Sequence, residues 1–195
     1  SLNAGSLWGR PFYILREAWN ILNAIAEGKI ESGDEKKLNA LKGETMAVIA
    51  LCQFDLTRCF GYPYTKDNGA SLGAPLIDHL VGTYENPSRS TVAQAYDFII
   101  ETLEEAVTLM SEEKNNGRMN KYAARALLAR VYLYHNDNRK AFDMADQLIK
   151  DVDASGSYAL YPHEKYVAAW SVETKFGSES FFEIANSVDD TPGRD

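Results

Sequence analysis

The stretch ETMAVIALCQFDLTRCFGYPYT, residues 44–65, decides how the rest of the chain can be interpreted. Its apolar positions recur at steps of three and four residues as far as Cys59, a spacing that predicts the buried face of an α-helix. Gly61 and Pro63 then end this helix, because both residue types are typical of positions just beyond a helix C-terminus. The next regular pattern starts only near Thr91, so the role of residues 61–90 becomes the central question.

The same periodicity predicts helices on both sides of this stretch. The first helix ends near Gly28 and carries one apolar face: Trp8, Phe12, Leu15, Trp19, Leu22 and Ile25. Asp34 is a predicted N-cap of the second helix, and Thr91 with Gln94 forms the capping-box signature of a third. Asn120 caps a fourth helix, KYAARALLARVYLYH, and residues 136–138 turn the chain into a fifth, RKAFDMADQLIKD. Short turns favour antiparallel neighbours, so the predicted class is mainly α with little β.

The fourth and fifth helices, residues 120–152, resemble one tetratricopeptide hairpin. Leu128, Ala129, Tyr132 and Ala141 fall at the offsets of that repeat, whereas its later aromatic position is occupied by Ala145 and its closing proline is missing. The small residues predict close helix approach, with the tyrosine filling the remaining gap. We therefore expect residues 1–195 to form one helical domain of degenerate repeats. Beyond the fifth helix, residues 163–169 are predicted as a short helix and residues 180–185 as a brief strand.

Composition and charge exclude several classes of protein. A hydrophobic share of 45% and a charged share of 25% are typical of a globular chain. The net charge of −8 argues against nucleic acid or an anionic membrane as partner. The longest strictly apolar run, residues 46–52, is too short for a membrane span, and no signal peptide precedes the first helix. Cys52 and Cys59 lie two helical turns apart, too far to bond each other, and both are predicted as small core residues.

The sequence shows no pattern of catalytic or metal chemistry, so we predict no enzyme, cofactor or metal site. His79, His135 and His163 share no helical spacing, and no phosphate-binding, dinucleotide-binding or zinc-protease motif is present. Residues 151–156 imitate the start of a calcium loop, but Pro162 stands where the last ligand should be. The acidic pairs at residues 104–105 and 112–113 are expected on a solvated helix face rather than across a hydrolase cleft.

Residues 61–90 are longer than an ordinary connection, and loops of this length are usually functional or disordered. Prolines, aromatic residues and apolar residues that include Leu72 and Ile77 indicate an ordered insertion that buries part of itself. Exposed aromatic rings on such a loop would stack on an apolar sugar face or dock a partner. The glycan-binding candidates are Tyr62, Tyr64, Tyr84 and Trp170. For each tyrosine the alternative remains open that it only fastens the loop to the helices.

Five blocks in order are similar to the SusD/RagB family of outer-membrane nutrient-binding lipoproteins. They are residues 41–65, 71–77, 87–106, 117–137 and 141–149. The preceding helix WGRPFYILREAWNIL and the later segments YALYPHEKYVAAW and ESFFEI extend the resemblance over nearly the whole chain. The loop-like C-terminal residues and the length both fit a fragment, less than half of a typical member.

The resemblance implies a helical scaffold, a glycan-binding face and a position on the outer cell surface through a lipid anchor that this chain lacks. It also implies a partner, the TonB-dependent transporter that such proteins cover. We therefore expect a non-catalytic protein that captures oligosaccharide and delivers it to that transporter. Two alternatives remain: an intracellular helical-repeat adaptor that binds peptides, and a helical glycoside hydrolase.

Overall fold

Helix α2 (Glu35–Phe60) lies at the centre of the computed structural model, which describes residues 4–30, 32–170 and 176–184. It packs against α1 (Ala4–Ala26) on one side and α3 (Val92–Leu109) on the other. Helix α4 (Lys121–Tyr134) packs between α3 and α5 (Asn138–Ser155). Consecutive long helices are therefore neighbours, and the mainly α class is confirmed.

A short helical segment follows α5. It consists of a 3₁₀ turn, His163–Lys165, and the single-turn helix α6, Tyr166–Ala169, so the helix predicted at residues 163–169 is confirmed. The rings of Tyr166 and Trp170, at the start and just after the end of α6, contact each other at a centroid distance of 6.2 Å.

Side-chain caps start α2, α3 and α4 where the sequence predicts them. The Asp34 carboxylate accepts hydrogen bonds from two amides in the first turn of α2. Thr91 Oγ1 accepts from the Gln94 amide at 3.1 Å, and the Gln94 side chain accepts from the Thr91 amide at 2.9 Å, which completes a capping box. Asn120 Oδ1 accepts from the amide of Ala123 at 3.0 Å. Each cap satisfies an otherwise unpaired amide and stabilises its helix by about 1 kcal/mol.

The apolar faces form two main buried clusters on opposite sides of α2. The larger joins α2 to α3 and α4, and its fully buried members include Phe54, Ile99, Leu103, Leu128 and Val131. The smaller joins α1, α2 and the long insertion through Leu15, Ile49, Leu56 and Ile77. A third, small cluster holds α5 to α4. Because α2 is shared by both main clusters, burial of its two apolar sides fixes the frame.

The long insertion contains two short strands that the sequence analysis missed. Strand β1 (Leu72–Pro75) pairs antiparallel with β2 (Arg89–Thr91), directly before α3 begins. Arg89 strengthens the pair, because its guanidinium donates hydrogen bonds to the carbonyls of Gly73 and Leu72 at 2.7 and 2.8 Å. The prediction of an ordered insertion is confirmed.

A buried glutamine fastens the insertion to α2. Gln53 is fully buried, and its amide donates to the carbonyl of Pro75 at 3.1 Å and accepts from the amide of Ile77 at 3.3 Å. Trp19 of α1 donates its indole N–H to the Ile77 carbonyl at 3.1 Å. A buried polar side chain is stable only when its hydrogen bonds are made, so this position of the loop is determined by both helices.

Helices α4 and α5 are packed neighbours, as the hairpin pattern predicts. Tyr132 is buried and donates its hydroxyl to Glu104 of α3 at 2.5 Å, so it joins α4 to the helix on its other side. Burial, followed by this bond to a carboxylate, raises the pKa of Tyr132. Ala141 of α5 is partly buried against the cluster between α3 and α4.

The carboxylates at residues 104, 105 and 151, which belong to possible functional motifs in the sequence, make structural contacts between helices. Glu105 accepts from Lys42 Nζ at 2.9 Å, which links α3 to α2, so the pair at residues 104–105 does not face one cleft. Asp151 lies within α5, rather than in a turn, and pairs with Arg125 of α4 at 2.6 Å. Neighbouring helices thus account for these acidic groups.

Three predictions about single elements are wrong. Cys52 is buried, and desolvation raises the pKa of its thiol to about 11, but Cys59, in the last turn of α2, is exposed. Leu72 is also exposed, at 51%, at the first position of β1, whereas the next two residues of the strand are buried. Within the described residues, 180–184 form no strand, because no second strand is placed to pair with them. Residue 185 lies outside the described part.

Candidate functional site

The four aromatic candidates occupy different surroundings. Within the described residues, no ring contact joins any two of Tyr62, Tyr64, Tyr84 and Trp170. The structure therefore does not assemble them into one platform, and each has to be considered with the residues around it.

Tyr62 and Tyr64 differ in exposure although they flank one proline. Tyr62 is 57% exposed, and the ammonium of Lys66 lies 3.0 Å from its ring centroid, so one face of this ring is already covered by a cation. Tyr64 is half-buried. Its ring packs edge-on against Tyr96, at a centroid distance of 5.6 Å, and its centroid lies 4.2 Å from that of the His135 ring. These contacts favour the fastening role for Tyr64.

Tyr84 lies at the tip of the insertion and is 96% exposed. Beside it, both imidazole nitrogens of His79 face carboxylates, Asp78 at 2.6 Å and Glu85 at 2.7 Å. Glu85 also accepts from the Gly82 amide at 3.1 Å, which closes the turn. The bond to Asp78, and then that to Glu85, raises the pKa of His79 because both favour the protonated ring.

Trp170 lies in a cleft of about 440 Å³ between α6 and residues 176–184. It is 77% exposed, and Tyr166 and Tyr161 contribute further rings to the lining. The polar members of the lining are Glu179, Ser180 and Glu183. Aromatic faces next to carboxylate and hydroxyl groups provide both stacking and hydrogen bonding, which is the combination that a sugar ring requires.

Hydrogen bonds to the backbone shape this cleft. The Tyr161 amide donates to the Glu179 carboxylate, and the Tyr161 hydroxyl accepts from the amide of Ser178 at 3.2 Å. A Cβ atom on Gly177 would lie 2.0 Å from the Tyr161 hydroxyl, so a larger residue there would displace the Tyr161 ring. Glu183 accepts from the amides of Phe176 and Gly177 at 2.7 and 2.9 Å.

The sequence contains one signal for this cleft that the sequence analysis did not use. Tyr166 and Trp170 are four residues apart, which places both rings on one side of a helical turn. Tyr161, Glu179 and Glu183 carry no such signal, because they reach the cleft only through contacts between the two segments.

A second groove of about 390 Å³ lies between α1 and the insertion. Trp8, Phe12 and Arg16 form one wall, and Pro75, Ile77, Val81 and Pro87 form the other. Trp8 is 39% exposed and packs edge-on against Phe60 and Phe12. Its lining offers few polar groups to a sugar, so the Trp170 cleft is the better glycan candidate.

The described residues contain no group of three or more His, Cys, Asp or Glu side chains placed to hold a metal ion. Of the described helices, none combines the length and apolar character needed to cross a membrane.

The packed helical hairpins define a protein of the tetratricopeptide-like class. The chain belongs to the SusD-like family: residues 3–133 match the family described as "Starch-binding associating with outer membrane". The family resemblance drawn from the sequence is thereby confirmed.

Solved structures support the same assignment. A SusD superfamily protein from Bacteroides vulgatus ATCC 8482 is 96% identical, with a TM-score of 0.95 over 100% of this chain and 44% of its own. Another from Bacteroides thetaiotaomicron VPI-5482 is 39% identical, with a TM-score of 0.88 over 95% of this chain and 40% of its own. A laminarin-binding SusD-like protein is 23% identical, with a TM-score of 0.69 over 91% and 36%, and shows the fold alone.

The chain thus spans less than half the length of these solved relatives. No curated protein sequence matches it.

Proposed function

We propose that this chain is part of a non-catalytic, cell-surface glycan-binding protein that captures oligosaccharide and delivers it to a TonB-dependent outer-membrane transporter. Its family is described as starch-binding and outer-membrane associated, which supports the ligand class and the location. The transporter, the lipid anchor and the delivery step are proposed from the family resemblance.

The observation that carries the proposal is the Trp170 cleft. Trp170 and Tyr166 are 77% and 53% exposed, so a sugar ring can reach their faces without rearrangement of the fold. Within the described residues, the hydrogen bond that Glu179 accepts uses one carboxylate oxygen, and in this proposal the other accepts from sugar hydroxyls. Stacking combined with such a fixed acceptor gives both affinity and orientation.

The carboxylates of the cleft favour binding over hydrolysis. A glycosidase needs one carboxyl group with a raised pKa as its proton donor. Burial acts to raise the pKa of Glu183, but its bonds to the amides of Phe176 and Gly177 outweigh this and hold the pKa below its usual value. Glu183 is thus a charged structural group rather than an acid catalyst. A hydrolase is the second candidate, and a turnover assay on the same glycans separates the two.

The test is calorimetric titration of the chain with maltooligosaccharides, laminarin, xylan, galactan and mannan. We expect binding to at least one glycan, and we expect Trp170→Ala to weaken it by about 1–3 kcal/mol, the range of stacking on exposed aromatic residues. Leu160→Ala is the matched control, because Leu160 is 85% exposed near the cleft but does not line it. Equal affinity of both variants would remove Trp170 from the site.

The same titration examines the other candidates one at a time, with Tyr62→Ala and Tyr84→Ala. Both side chains are more than half exposed, so a loss of affinity would not be confused with unfolding. For the transporter, the longer protein should co-purify from outer membranes with a TonB-dependent channel. Recovery of the longer protein without any channel, under conditions that preserve other membrane complexes, would contradict the delivery step.

A further inference from the structure

The charge of the Trp170 cleft restricts which glycans it can take. Two of its lining residues, Glu179 and Glu183, are acidic, and none of the described residues that line it is Lys, Arg or His. The whole chain also carries a net charge of −8. A ligand therefore meets negative charge both at long range and inside the cleft.

Backbone amides hold both carboxylates in place. Each oxygen of Glu183 accepts a backbone amide, at 2.7 and 2.9 Å, which stabilises the charged form. Glu179 accepts from the amide of Tyr161 in the same way. These amides cannot turn towards another anion, because they belong to the backbone that forms the wall. The negative charge is thus built into the wall.

Lys114 contacts the segment that carries Glu183 but does not neutralise the lining for a ligand. Lys114 Nζ donates to the carbonyls of Gly177 and Phe176 at 2.9 and 3.5 Å, and it lies 4.6 Å from the centroid of the Tyr158 ring. Its ammonium therefore binds the backbone of the segment that carries Glu183. It does not line the cleft.

We propose that the Trp170 cleft selects neutral glycans and rejects glycans that carry carboxylate or sulfate groups. The inference rests on the proposed glycan binding and adds to it the chemical class of the ligand. Neutral sugars donate hydroxyl hydrogen bonds to Glu179, whereas a uronate or a sulfate ester places like charge beside two fixed carboxylates. Specificity then arises from repulsion of the wrong ligand as much as from contacts to the right one.

The test compares a neutral glycan that binds in the titrations with the same glycan after sulfation or conversion of hydroxymethyl groups to carboxylates. We expect the anionic form to bind roughly five- to tenfold more weakly at low ionic strength. Added salt should reduce the difference, because salt screens charges that remain accessible to solvent. Binding of uncharged derivatives of the same size, such as the methyl ester, controls for steric effects.

The Glu179→Gln variant tests whether the discrimination between neutral and anionic glycans depends on the charge of Glu179. Glutamine keeps an oxygen that can accept from Tyr161 but removes the charge, so the discrimination should fall at least twofold without a change in melting temperature. Glu101→Gln makes the same change on an exposed residue of α3 outside the cleft and should leave the discrimination unchanged.

Equal or tighter binding of the anionic glycan would overturn the inference while leaving glycan binding intact. The same holds if Glu101→Gln and Glu179→Gln reduce the discrimination equally, because the effect would then belong to the net charge of the chain. Failure of every neutral and anionic glycan to bind would instead overturn the proposed function.

Discussion

Replacement of Tyr64 by alanine distinguishes a fastening residue from a ligand platform. The Tyr64 ring contacts Tyr96 and His135, at centroid distances of 5.6 and 4.2 Å, and so joins the insertion to α3 and to the end of α4. Truncation of a fully buried aromatic residue costs about 3–5 kcal/mol. Because Tyr64 is half-buried, we expect a loss of about half that amount, or about 1.5–2.5 kcal/mol.

The loss is measured by thermal and denaturant unfolding. For a chain of this length, each kcal/mol shifts the melting temperature by about 2–4 °C, so Tyr64→Ala should melt about 3–10 °C below wild type. Tyr84→Ala makes the same change at a 96% exposed position of the same insertion and should stay within about 0.5 kcal/mol of wild type. Equal melting of the two variants would refute the argument, and a loss of glycan affinity at unchanged stability would make Tyr64 a binding residue.

Three further predictions concern the frame and the insertion. Gly43→Ala should destabilise by about 1–2 kcal/mol, because the added Cβ would lie 2.9 Å from the carbonyl oxygen of Ala106 where α2 crosses α3. Asn120→Ala should cost about 1–2 kcal/mol in chemical denaturation, since it removes the buried cap of α4. For His79, whose pKa is raised by Asp78 and then Glu85, the added stability should be complete below about pH 6.5 and lost as pH rises through the raised pKa. The melting difference between wild type and His79→Gln, followed from pH 5.5 to 8.5, measures it.

Each of these has a control in the same chain. Gly9→Ala introduces the same side chain on α1 with nothing within 4 Å, so it should not destabilise, and equal losses at both glycines would refute the close-contact argument. Asn120→Asp keeps the capping oxygen but loses the donor to the Tyr158 hydroxyl, 2.8 Å away, and should fall between alanine and wild type. If the melting difference between wild type and His79→Gln does not change with pH, the contacts of His79 with Asp78 and Glu85 do not stabilise the fold.

The parts of the fold that the sequence predicts correctly are governed by short-range physics. Helix periodicity, the caps at Asp34, Thr91 and Asn120, and the turn after Phe60 each depend on residues within one or two helical turns. The tetratricopeptide-like hairpin is similarly local, since α4 and α5 are joined by a short turn. The family resemblance rests on sequence blocks that coincide largely with these helices.

Only the tertiary structure decides what lies between the helices. The pairing of β1 with β2 joins residues on either side of a long loop, and Gln53 satisfies partners more than twenty positions away. Leu72 is exposed, and Tyr64 is packed against Tyr96 and His135, which are distant in sequence. Sequence therefore determines the helices and their family, because their signals are periodic and local. The cleft around Trp170 depends on the bond between the Tyr161 amide and Glu179, 18 positions apart, and on a turn in which Glu183 accepts from Phe176 and Gly177. No periodic pattern encodes that arrangement.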